Sequence, residues 1–398
     1  MPKKILQRNP ALDIIRCFAF LFVVSVHFFA NSGYYNEIIS GPRFYIMTLM
    51  RCFFMICVPL FMILSGYLMC NKTISKSFYK KIFYIISIYL LSSFCCVLYR
   101  VLILKESFSM GALVNGFFDY SNAPYAWYVE MYIGLFLMCP FLNLIYNNLK
   151  TKKEKKILLG TFLLITAAPQ VVNNYIEFLP NWWISIYPIT YYFIGCYLRE
   201  YKLNISCKKI ALLSFILFII NGTFNYYRSY NTIFNCGVWQ EYSSLLIVIQ
   251  ASLFFVFFTN LNYSKLSIKM SKMLAKISEL CFGAYLLSWL FDKIFYKLLN
   301  NAVSDMALRL NYFPLIVPTI FICSLCLSFV INIIHGLIER CINKLLKFIQ
   351  YKKILNYTNG QVFFIYVALS NKYSISHTCY CSIYNHRIFY YRHLYLSF

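Results

Sequence analysis

Arg8-Asn9-Pro10-Ala11-Leu12-Asp13-Ile14-Ile15-Arg16, followed by an apolar run to Val26-His27, is the stretch whose reading decides the fold. It is long and apolar enough to cross a bilayer, yet it carries an aspartate, an arginine and a histidine. Arg16 and His27 are eleven positions apart, about three turns at 3.6 residues each. Their side chains therefore leave nearly one helix face, roughly 16 Å apart along the axis. Ionisable groups near the middle of a span cost about 2.5–3.5 kcal/mol each, so their first reading is functional. The competing reading makes Asp13 and Arg16 an i, i+3 pair among the headgroups and His27 an interfacial residue.

The rest of the chain has the same character. Of 398 residues, 61% are hydrophobic, 20% aromatic and only 13% charged, against about a quarter charged in soluble domains. This composition implies an all-α polytopic membrane protein. A formal charge of +24 could suggest nucleic acid, but such a binder gathers its basic residues on one solvated face. Here many lie in short clusters between apolar runs, as cytoplasmic loops require, so nucleic acid is excluded as a partner and membrane lipid is expected. No cleavable signal is evident. Most of the 16 cysteines lie in apolar runs, among them Cys95, Cys96, Cys139 and Cys323, where a thiol behaves as a small hydrophobe.

Apolar segments near 11–30, 44–70, 79–104, 125–147, 157–174, 183–199, 210–226, 241–260, 277–299 and 312–338 predict about ten transmembrane helices. Basic residues crowd every second connection (Lys72, Lys76, Lys80 and Lys81; then Lys150, Lys152, Lys153, Lys155 and Lys156) and are sparse in the others. The alternation places both termini in the cytoplasm. Residues 1–350 form the membrane domain in this reading, and 351–398 a weakly ordered cytoplasmic tail. His377, Cys379, Cys381 and His386 in that tail fit no standard zinc spacing, so no metal is expected.

Loop charge also assigns depth. His27 falls near the outer end of its span and Arg16 near the inner end. Arg51, Glu130 and Asp292 fall in the outer parts of three other spans, giving four ionisable residues at one depth. Such residues usually face the bundle interior and pair with one another. A histidine oriented by a carboxylate is a natural general base for a hydroxyl group. Arg51–Glu130 and His27–Asp292 could instead be buried structural pairs. The outer loops are rich in Tyr, Asn and Trp, an interfacial belt in the first instance and sugar-stacking surfaces in the second.

Leu12-Asp13-Ile14-Ile15-Arg16 and the run to His27 resemble the opening of the acyltransferase-3 family of integral membrane acyltransferases. Val58-Pro59-Leu60-Phe61-Met62-Ile63-Leu64-Ser65-Gly66-Tyr67-Leu68 resembles its second-span signature. Trp127-Tyr128 through Pro140-Phe141-Leu142-Asn143, Tyr191 to Leu198, and Phe282-Gly283-Ala284-Tyr285-Leu286-Leu287 are similar to later blocks. The likeness spans about residues 8–345. It implies O-acetylation of a surface glycan such as O-antigen or capsule, at a bacterial plasma membrane, from cytoplasmic acetyl-CoA. The acceptor would be a glycan or lipid-linked oligosaccharide.

By the same resemblance His27 is the catalytic histidine, and Arg16 the arginine that contacts the donor. Glu130 or Asp292 would orient the imidazole, and Arg51, Ser65, Trp127, Tyr128 and Tyr285 would line the substrate site. Two departures stand out: Ser288 occupies a position that is histidine in many members, and Arg51 lies a turn further from Val58-Pro59 than the usual arginine. A transient acetyl-histidine is an alternative to general-base catalysis. The rival function is a transporter or flippase of lipid-linked sugars, although transporters usually carry internal repeats and none is evident.

Overall fold

Lipid offers no partner to a backbone N–H or C=O, so an apolar chain must satisfy those groups within helices. The computed structural model describes residues 8–370 apart from 174 and 238. In these there are fifteen α-helices: α1 Pro10–Asn31, α2 Gly41–Phe54, α3 Cys57–Met69, α4 Lys76–Tyr79, α5 Ile82–Leu102, α6 Met110–Phe118, α7 Trp127–Asn148 and α8 Lys152–Thr166. There follow α9 Pro169–Val172, α10 Tyr187–Glu200, α11 Cys207–Arg228, α12 Leu245–Asn260, α13 Ile268–Ala302, α14 Met306–Arg309 and α15 Phe313–Ser370. Eight helices or helix pairs are long and apolar enough to cross a membrane. The segments read as spans near 183–199 and 241–260 become helices of 14 and 16 residues, too short to meet that measure.

The chain divides into two compact units, Met1–His335 and Gly336–Phe398. In the second, α15 runs on to Ser370, through residue 350, where sequence places the start of the tail. His377, Cys379, Cys381 and His386 lie outside the described residues.

Within the first unit, α1 is the hub, packed against α2, α3, α12 and α13. Its start is fixed locally: the Asn9 side chain accepts from Ala11 N (3.0 Å) and Pro10 supplies the helical φ at the first position. Ile15, Ala19, Phe20, Val24, Phe28 and Phe29 are all buried, at most 1% exposed, so α1 is enclosed on most sides, and Arg16 and His27 remain partly exposed within it. α2 and α3 form one span interrupted at Met55–Ile56. Pro59 explains the break, because it has no N–H to continue the helical ladder. Arg51 therefore sits in the last turn of a short helix.

The crossing of α3 with α10 accounts for two of the quoted sequence blocks. A Cβ on Gly66 would fall 1.9 Å from the Tyr192 carbonyl oxygen, and one on Gly195 would fall 2.1 Å from that of Ile63. Each glycine lets the other helix's backbone approach where no side chain fits. Asn143 of α7 fastens the same region, donating to the carbonyls of Met69 and Lys72 (both 2.7 Å) and accepting from the Tyr192 hydroxyl (2.8 Å). Gly195→Ala is expected to destabilise the protein by about 1–3 kcal/mol through overpacking. The check is a lower thermal midpoint of the purified protein, with Gly134→Ala, where a Cβ meets nothing within 4 Å, as the neutral comparison.

At the His27 end of the bundle, the loop after α1 is clamped to the loop after α11. Ile39 N donates to Thr232 O (2.8 Å) and Asn231 N to Ile39 O (2.9 Å). Arg309 closes the end of α1 by donating to the Ser32 carbonyl (2.5 Å).

Candidate active site

α1 and α13 lie side by side and parallel, which two contacts establish. Near the start of α1, Arg16 Nη1 donates to Ser278 Oγ (2.8 Å). Near its end, His27 Nδ1 lies 3.3 Å from Asp292 Oδ2. The Asp292 side chain is fully buried and the imidazole is 17% exposed, so this polar pair is held in the bundle with one edge of the ring accessible. The pair is close but not aligned as a formed hydrogen bond; catalytic contacts are often loose before substrate binds.

Tyr125, just before α7, completes the cluster. Its hydroxyl donates to Asp292 Oδ2 (2.6 Å) and its ring lies 4.0 Å from the imidazole, centroid to centroid. Tyr285 of α13 fixes that segment by donating its hydroxyl to the Tyr125 carbonyl. Asp292 thus faces a histidine on one helix and a phenol from a second element. Asp292 Oδ1, and the Tyr296 hydroxyl one turn along, are buried without a hydrogen-bond partner.

A column of tyrosines joins the two ends of the α1 face. Arg16 is within electrostatic reach of Tyr132 and Tyr128. Tyr132 stacks on Tyr128 (5.8 Å), Tyr128 meets Tyr285 edge to face (5.7 Å), and Tyr285 stacks on Tyr125 (6.5 Å) beside His27. Ser65, buried in α3, donates to its own helix at Phe61 O (2.8 Å). Trp127 is 42% exposed and stacks on Tyr242 (5.8 Å).

The expected convergence of four charges is only half realised. His27 and Asp292 meet. Glu130 does not join them: it is exposed in the first turn of α7, where the helix dipole favours a carboxylate. Nor does it pair with Arg51, whose guanidinium donates to Tyr35 Oη (3.0 Å) and Gln240 Oε1 (2.6 Å). The Asp13–Arg16 pair is absent too. Asp13 takes a two-pronged bond from Arg8 (2.7 and 2.8 Å), which raises the Arg8 pKa above its ordinary value and leaves Arg16 directed at Ser278. Ser288, at the departure from the usual histidine, bonds back to Tyr285 O (2.8 Å). Tyr125 and Gln240 went unassigned in the sequence reading. A neutral phenol and amide in aromatic or polar loops carry no signal of their own until the helices are packed.

A buried histidine–carboxylate–phenol cluster in a helical membrane bundle can hold an imidazole in one orientation and take a proton from a hydroxyl. Among known families, residues 9–335 match the acyltransferase-3 model, described as an acyltransferase domain. No curated protein and no solved structure matches the chain. The match covers most of the chain and contains all of the cluster, so the protein belongs to the acyltransferase-3 family and is a membrane acyltransferase.

Proposed function

We propose that the protein is a membrane O-acetyltransferase moving an acetyl group from acetyl-CoA to a hydroxyl of a surface-polysaccharide precursor, with His27 as general base. The contact of His27 Nδ1 with buried Asp292 carries this reading. It holds the Nδ1 proton toward the carboxylate and leaves Nε2 as the acceptor. Nε2 takes the proton of the sugar hydroxyl, and the oxygen attacks the thioester carbonyl. The tetrahedral adduct collapses to the acetyl ester, and the CoA thiolate leaves and is protonated. Asp292 stabilises the imidazolium formed on the way, and Tyr125 holds Asp292 in place.

The basic connections support ten spans with both termini cytoplasmic, the two short helices α10 and α12 completing the count. In that orientation the Arg16 end faces the cytoplasm, where lysine-rich loops favour the phosphates of CoA. The tyrosine column then lies between donor and His27, and the acceptor approaches from the other side, at a bacterial plasma membrane. Trp127 offers an exposed ring for a sugar face. Glu130 has no part in the step.

The test is base-labile acetate on the host's surface polysaccharide, in a strain lacking the gene and in the same strain complemented with the chain. Acetate should be absent in the first and restored in the second. Acetate unchanged per glycan, with glycan missing from the surface of the deletion strain, would replace the enzyme with a transporter.

A further inference from the structure

Arg51 presents a problem the acyl-transfer chemistry does not solve. It is 4% exposed, and no carboxylate among the described residues lies within 4.0 Å of it. Its hydrogen-bond partners are Tyr35 Oη, Gln240 Oε1 and, at 3.8 Å, Cys236 Sγ, and its guanidinium lies over the Phe234 ring, 4.9 Å from the centroid. Burial raises the pKa of Tyr35, and partial loss of hydration at the sulfur of the otherwise exposed Cys236 raises that of its thiol, so both stay neutral at ordinary pH. Glu241, next along the chain from Gln240, is exposed and forms no ion pair with it. A buried guanidinium facing only neutral groups is a costly arrangement.

A second arginine reaches the same turn. The Arg228 Nη2 atom lies 3.4 Å from where a Cβ on Gly237 would stand. Its Nη1 is buried and has no hydrogen-bond partner among the described residues. Two cations with no carboxylate partner among the described residues therefore approach two successive residues, Cys236 and Gly237. Beneath them the polar network is neutral and incomplete: Gln240 Nε2 donates to Asn221 Oδ1 (2.9 Å), and Asn221 Nδ2 has no partner. The Arg51–Cys236 contact is the weakest of the set, and Cys236 is exposed, so an anion arriving there displaces little.

One ring contact and short stretches of chain link the seat to the active site. Gln240 holds Arg51, and Tyr242, two residues on, stacks on Trp127. Trp127 in turn stands two residues from Tyr125, which lies against His27 and Asp292. We infer that Arg51 and Arg228 bind an anionic group of the acceptor, a carboxylate or a phosphate, and that the acceptor is an acidic or phosphorylated glycan whose reacting hydroxyl is presented to His27. Calling the ligand an acceptor rests on the acyl-transfer reading; the anion seat does not.

The experiment uses the full-length protein in lipid nanodiscs and follows alkylation of Cys236 by N-ethylmaleimide, a neutral reagent, by peptide mass spectrometry. D-glucuronate, D-glucose 6-phosphate and D-glucose are compared at matched ionic strength. Either anionic sugar should slow alkylation roughly fivefold when present at several times its Kd, and glucose should not. Protection by only one of them names the group as carboxylate or phosphate. The effect should be lost in Arg51→Gln and in Arg228→Gln and retained in Arg51→Lys. Arg228 is partly exposed, so its variant decides the matter if Arg51→Gln fails to fold. Equal alkylation with all three sugars, or protection that survives Arg228→Gln, overturns the inference. His27→Ala should be protected like the wild type. Acetate transfer without protection removes the seat and leaves the enzyme, and protection without transfer does the reverse.

Discussion

Replacing His27 with alanine should lower acetyl transfer by about 10²–10⁴-fold, the range a positioned general base contributes. The side chain is partly exposed, and its polar contact with Asp292 is loose. Its loss therefore removes chemistry with little packing, and the variant should reach the membrane at the wild-type level. Acetate per glycan, normalised to protein in the membrane fraction, is the measurement. A variant retaining more than about a tenth of wild-type transfer would place the proton acceptor elsewhere, because losing a general base costs far more than that.

Asp292→Asn should be nearly as damaging, by about 10²–10⁴-fold if its carboxylate acts as the triad aspartate does. The amide oxygen can still accept from Tyr125, now bonded at 2.6 Å, so the fold is kept. The negative charge beside the forming imidazolium is not. Glu130→Gln removes a carboxylate of similar predicted depth that is exposed and unattached to His27, and transfer should stay close to wild type. If Glu130→Gln fails and Asp292→Asn does not, the two carboxylates have been given each other's roles. Both variants are scored by the same acetate assay.

Much of this was legible in residue order. Apolar runs with basic loops predict a helical membrane bundle, because hydrocarbon allows little else. Arg16 and His27 read as one face because eleven residues make about three turns. His27 and Asp292 read as partners because charges inside a span seek each other. The same rule failed for Arg51 and Glu130. Shared depth is set by position along a helix, but pairing depends on helix rotation, and loop charge says nothing about rotation. The glycine crossing was visible only as sequence blocks around Gly66 and Gly195; that each lies under the other helix's backbone is a property of the packed pair. Gln240 and Arg228 were hidden for a related reason. Each sits in or beside a polar loop, where such residues are ordinary, and only the fold of that loop over Arg51 makes them notable.

The central claim is that the protein, with His27 as general base, moves an acetyl group from a donor on one side of the membrane to a glycan on the other. Right-side-out membrane vesicles loaded with radiolabelled acetyl-CoA test it directly. Vesicles carrying the wild-type chain should place base-labile label on external polysaccharide, and those carrying His27→Ala should place none above background. Label appearing equally with both, or with neither while the wild-type chain is present and folded, would contradict it.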